Sequence, residues 1–304
     1  MTRQSFTKTL AVVCSLFLIA GACSSDSEGG SDNGADNDDA DALPGDDLHI
    51  NEIQMLGSHN SYHLPAEEAV ANPLSNLVPE LWETIEYEHQ PIPDQLEDYG
   101  IRQFELDVFA DPDGGMFANP AAFQLLGGEA PDIPALDEPG FKVAHIADID
   151  TNTTCVTFVE CLTQIETWSS ENPGHLPIMV MVETKGDDLR SGDGGFGIDI
   201  DELDAEFSRP LEMTEELFED LEAEVLSVFG EDQIITPDDI RGDADTLEDA
   251  VLEQGWPTIA DSRGKVMFSL VDTGESRDLY TADAPSLEDK LFFTSSEPGR
   301  PDAA

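Results

Sequence analysis

The chain has 304 residues and carries 66 Asp and Glu against 13 Lys and Arg, a formal net charge of −53 at pH 7. Hydrophobic residues make up 39% of it, enough for a substantial core, but the charge balance leaves no basic patch to hold nucleic-acid phosphates. Its four cysteines are too few for a disulfide scaffold, and no Cys or Cys/His cluster has zinc spacing.

Residues 1–22 read as an export signal. Arg3 and Lys8 precede a largely apolar run over 10–22, shorter than the roughly 20 apolar residues a spanning helix needs. The run ends LIAGAC, with small residues directly before Cys23, and resembles a bacterial lipoprotein signal. Cys23 is then the lipidated first residue, which predicts an extracytoplasmic lipoprotein anchored at a membrane surface. A plain signal cut near Ala22, giving a secreted or periplasmic protein, is the alternative. Residues 23–47 form an acidic tether: nine of the 24 residues over 24–47 are Asp or Glu and none is basic. Such a segment buries too little surface to offset its ordering entropy, so disorder is expected. The folded body, 48–304, keeps 57 acids and 11 bases. They recur in every segment, which favours a surface suited to high salt over a stripe that steers one cationic partner.

Short apolar runs follow in the order INEIQML (50–56), QFELDVF (103–109), KVAHI (142–146), PIMVMVE (177–183), QIIT (233–236), KVMFSLV (265–271) and KLFFT (290–294). These predict seven strands. Helical patterns lie between them, such as 157–170 and 214–230, the latter with Leu217, Leu221, Val225 and Val228 at helical spacing. Strands alternating with helices predict a parallel sheet, and this many units in one body suit an α/β fold of TIM-type (β/α) barrel form better than an open sheet.

The polar residues that interrupt these runs fall at their carboxyl ends, the active-site face of a barrel. The first strand runs into GSHNSYH and delivers His59 and Asn60, followed by His63. In the second, Glu105 and Asp107 alternate with Phe104, Leu106 and Val108, so the two carboxylates share the inward face. The third is read as ending in His145, and the fourth in Glu183 and Lys185. Any one of these residues alone is more often structural or solvated surface; their coincidence at four strand ends is what points to a site. Three carboxylates and an amide oxygen suit calcium, magnesium less well, while zinc would recruit the histidines. Two histidines beside such a metal suit phosphoryl chemistry. Cys155 and Cys161 can bridge if Cys155 precedes the helix that starts near Thr157; two free thiols are the alternative.

The ordered set GSHNSYH, QLEDYGIRQFELDV, VAH and IMVMVETK resembles the calcium-dependent phosphoinositide-specific phospholipase C family of barrel phosphodiesterases. The resemblance implies that Asn60, Glu105, Asp107 and Glu183 hold Ca2+ and that His59 and His145 flank the substrate phosphate. Lys185 is a candidate for contacting that phosphate, with simple offsetting of the carboxylates as the alternative. The resemblance also implies cleavage of a phosphoinositide-type phospholipid to diacylglycerol and a cyclic inositol phosphate by a monomer. Glycerophosphodiester phosphodiesterase activity, or a catalytically impaired surface binding module, are the alternatives. In the family a further helix and strand follow the last run, whereas ten residues follow Thr294 here. The sequence is therefore expected to be a C-terminally truncated form whose barrel lacks its last strand; a natural seven-stranded or partner-completed form is the alternative.

Overall fold

The computed structural model describes residues 43, 45–77, 79–186 and 203–304. The signal, the tether up to residue 42 and the lipidation candidate Cys23 lie outside the described residues. Seven strands, β1 (Leu56–Gly57), β2 (Ile101–Phe109), β3 (Lys142–Val143), β4 (Ile178–Thr184), β5 (Ile234–Ile235), β6 (Val266–Leu270) and β7 (Phe292–Thr294), form one sheet. The path β1-β2-β4-β6 is parallel throughout. The far edge of β6 is shared: Val266 pairs with Ile234 of β5, and Phe268 with Phe292 of β7, both parallel.

Strand alternation sorts the chemistry. Phe104, Leu106 and Val108 of β2, Ile178, Val180 and Val182 of β4, and Val266, Phe268 and Leu270 of β6 are buried on one face. They belong to one core with Phe158, Leu162 and Ile165 of α5 (Phe158–Glu171) and Leu217, Leu221 and Val225 of α6 (Glu215–Val228). Burying each such side chain contributes about 1.5–3 kcal/mol, so the register of β2, β4 and β6 is strongly determined. The opposite face is left to Gln103, Glu105 and Asp107 on β2 and to Met179, Met181 and Glu183 on β4, which lie opposite one another in that order.

Both long helices begin where a threonine side chain accepts a backbone N–H: Thr157 from Glu160, and Thr214 from Leu217. Thr236, Thr246 and Thr258 cap α7 (Pro237–Arg241), α8 (Leu247–Gln254) and α9 (Ile259–Ser262) in the same way. In these three an Asp stands three residues on, the sequence signature of a helix start.

Two of the expected strands differ. The run 50–56 is a 3-10 turn (Ile50–Glu52) followed by a two-residue strand. Glu52 accepts from the His49 backbone N–H at 2.9 Å, and this local bond competes with sheet pairing. The run 142–146 is not a parallel strand. Only Lys142 and Val143 pair, and they run antiparallel to the end of β2. The chain then turns through Asp148 at φ 67°, with Ile146 bonded to Asp150, so His145 sits in a loop rather than at a strand end.

Candidate active site

The loop after β1 is fastened to β2. Ser58 and Ser61 donate their backbone N–H groups to Gln103 and Glu105 carbonyls at 3.1 and 3.0 Å, and Ser61 Oγ accepts from Glu105 N at 2.9 Å. Gln95, from α3 (Ile92–Glu97), braces the loop by donating to the Ser61 carbonyl and accepting from Ser58 Oγ, both at 2.7 Å. This brings Asn60 N within 3.3 Å of Glu105 Oε2, and His59 Nε2 within 3.6 Å of the same oxygen. Asn60 is buried with φ 47°, a left-handed conformation that asparagine tolerates. Its amide nitrogen donates to Tyr87 Oη at 2.7 Å, which turns the amide oxygen away from that contact and leaves it able to accept. The His59 side chain is 76% exposed.

Glu105, Asp107 and Glu183 each offer an oxygen within 4.8 Å of the others. The parallel register does this, because Asp107 lies directly opposite Glu183. Asp107 is fully buried, and neither of its oxygens has a well-formed hydrogen bond. Lys185 Nζ stands 3.0 Å from Asp107 and 2.9 Å from Glu183. Burial raises the Asp107 pKa to about 6; Lys185 pulls it down and Glu183 pushes it up. A buried carboxylate beside two more carboxylates, with one ammonium among them, is a site short of positive charge. The donor set is all oxygen, so the residues present fit calcium.

The second wall is histidine. His145 Nδ1 and His63 Nε2 both lie 2.8 Å from the same oxygen of Asp150. His63 also donates from Nδ1 to the Tyr87 carbonyl at 2.9 Å and stacks on the Tyr87 ring. His145 is close enough for its charge to act on Asp107. The loop that carries it is held from both ends. Val143 bonds to Val156, Thr154 to the Tyr62 carbonyl, and Cys155 is joined to Cys161 of α5.

All the candidate residues of the described chain thus fall into two adjoining groups: His59, Asn60, Glu105, Asp107, Glu183 and Lys185 in one, and His145 in the other. Asp150, Tyr87 and the part played by His63 were not foreseen. The turn after His145 carries two acids, Asp148 and Asp150, and among 66 acids neither stands out. The remaining histidines are structural: His89 donates to the His59 carbonyl at 2.8 Å, His175 pairs with Ser169 at 2.7 Å, and His49 meets the Trp256 carbonyl.

The family model for Ca2+-dependent phosphoinositide phospholipase C matches residues 48–304. The chain belongs to this family. As a phospholipase C of this type it is a phosphoric diester hydrolase, and calcium is the family's cofactor. The structure is similar to that of a calcium-dependent phosphoinositol-specific phospholipase C from Pseudomonas sp., with TM-score 0.49 and 19% identity over 83% of this chain and 68% of that one. It is also similar to a Ca2+-dependent phosphatidylinositol-specific phospholipase C from Streptomyces antibioticus, with TM-score 0.45 and 19% identity over 81% and 66%. For the phosphatidylinositol-specific phospholipase C from Listeria monocytogenes the values are 0.41, 14%, 76% and 55%. A search of curated proteins gave no match. Membership of the phospholipase C family rests on the family model.

Proposed function

We propose that this phospholipase C cleaves a phosphatidylinositol-type phospholipid to diacylglycerol and a cyclic inositol phosphate, working at a membrane surface through a lipid on Cys23. The observation that carries this is the meeting of an all-oxygen carboxylate triad with two histidines, His59 beside Glu105 and His145 on Asp150. Asn60, Glu105, Asp107 and Glu183 would hold calcium. When bound, the ion lowers the pKa of a coordinated hydroxyl and neutralises charge on a phosphate oxygen.

The protein's own groups divide the proton work. Glu105, the partly exposed carboxylate beside His59, takes the proton from the inositol 2-hydroxyl; buried Asp107 serves as ligand. His59, exposed at the mouth, donates to the phosphate as negative charge builds on it. His145 donates a proton to the diacylglycerol oxygen as the P–O bond breaks. Of the two roles open to Lys185, substrate contact and offsetting the carboxylates, the second is supported by its ammonium standing beside Asp107 and Glu183.

The test is hydrolysis of a panel containing phosphatidylinositol, phosphatidylcholine and glycerophosphodiesters, with calcium or with chelator. Calcium-dependent release of cyclic inositol phosphate from phosphatidylinositol is expected. Preferential cleavage of water-soluble glycerophosphodiesters would overturn the substrate reading.

A further inference from the structure

The His63–Asp150–His145 group is buried at its centre, and the proton work just described uses only one of its three members. Hydrogen bonding determines where its protons are. His63 Nδ1 faces a carbonyl oxygen, which only accepts, so that nitrogen carries a proton. His63 Nε2 faces Asp150 Oδ2, and so does His145 Nδ1. Burial alone would raise the Asp150 pKa, but the hydrogen bonds from the two histidines outweigh it and hold the carboxyl below its ordinary value, hence ionised. An ionised carboxylate also only accepts. His63 and Asp150 are thus joined at 2.8 Å, with neither side chain exposed.

This has a consequence for His145. Its Nδ1–H is committed to Asp150, so Nε2 is the atom turned to chemistry. Asp150 orients the ring, and His63 fixes Asp150 in turn. A general acid needs such a fixed direction toward the atom it protonates.

We propose that Asp150, held in place by its hydrogen bond with His63, is the positioning residue that aims His145 Nε2 at the leaving-group oxygen. This rests on the assignment of His145 as the general acid. The proton passes from Nε2 to the oxygen of the breaking P–O bond, leaving neutral His145 with Nδ1–H still on Asp150.

The leaving group provides the test, because an aryl oxygen departs without help and an alkyl oxygen does not. Turnover of phosphatidylinositol is compared with that of a p-nitrophenyl ester of inositol 1-phosphate, at saturating calcium. Asp150→Asn is expected to lower kcat on the lipid by about 100-fold and on the aryl ester by tenfold or less, within the range of a positioned acid. His63→Gln keeps a donor amide beside Asp150 and carries the same test if Asp150→Asn does not fold; its loss should be smaller but equally selective. Equal losses on both substrates in the folded variant mean a merely structural role and overturn the proposal. His145→Ala separates the two claims. If its loss is not selective for the lipid, the general-acid assignment falls; if it is selective and neither Asp150→Asn nor His63→Gln is, only the positioning proposal falls.

Discussion

The carboxylate wall and the histidine wall of the site are built by different means. Glu105, Asp107 and Glu183 stand on two neighbouring strands whose opposite faces are pinned by six buried apolar residues, and parallel register alone brings them together. His145 stands on a loop with almost no ladder of its own. It is positioned by a shared carboxylate, a disulfide, and backbone bonds to the segment that follows β1. The metal side is thus made rigid by the core, and the proton-donating side by cross-links. Substitutions should separate along that line, some acting on calcium affinity and others on the rate at saturating calcium.

The largest effect expected is on the carboxylate wall. Asp107→Asn removes a buried ligand while relieving an uncompensated charge. Calcium should bind at least about 100-fold more weakly, the upper end of what loss of an outer-sphere partner costs. The fold without calcium should be unharmed or firmer. Calorimetric titration with calcium and a thermal melt decide it; unchanged affinity would remove Asp107 from the ligand set.

The matching break on the other wall is Cys155→Ser with Cys161→Ser. A short closed loop of this size contributes about 2 kcal/mol of stability through the unfolded chain. Denaturant unfolding should show that loss. At saturating calcium kcat should fall, with calcium affinity unmoved, because the cross-link holds the histidine loop and no ligand. A change in affinity instead would mean that the two walls are mechanically one.

How far the site was legible follows the same division. Glu105 and Asp107 could be placed on one face because a strand has period two and Phe104, Leu106 and Val108 fill the other. The run before Glu183 was equally plain. Nothing in either run says that β2 and β4 are neighbours, so the direct opposition of Asp107 and Glu183 is a product of the assembled sheet. On the histidine side the pattern misled. A short apolar run is compatible with a strand or a loop, and the pattern of KVAHI predicts a strand whose carboxyl end carries His145. What ends it after Val143 is a left-handed turn at Asp148 and pairing with 156–157, neither of which leaves a periodic trace.

A sharper comparison comes from Lys185, the ammonium inside the carboxylate wall. Coulombic repulsion between it and an incoming calcium ion should weaken binding, even after screening. Lys185→Met is expected to tighten calcium binding about tenfold, or about 1.4 kcal/mol, read by the same titration. Weaker binding in the variant would mean that Lys185 gathers the carboxylates into place, and that its organising effect exceeds its repulsion.

The smallest effect tests the base of the histidine loop. Glu224 on α6 accepts from the Phe141 backbone N–H at 2.9 Å, just before β3. Burial raises its pKa from 4.5 to about 7, although that hydrogen bond and Lys142 both pull it down. The sign follows from proton counts: between pH 4.5 and 7 the folded protein holds more protons at this group than the unfolded chain does. Its contribution to stability is therefore best below about pH 4.5, declines as pH rises through about 7, and is flat above. Gln mimics the neutral form and keeps an oxygen for Phe141. Glu224→Gln should match the wild type near pH 4.5 and exceed it at pH 8 by about 1 kcal/mol, a value discounted for the partial exposure of the side chain. Denaturant unfolding of both proteins at the two pH values measures it. A constant difference across pH would show that Glu224 binds protons alike in the folded and unfolded chain, and that the strut beneath the histidine loop is a charged one at neutral pH.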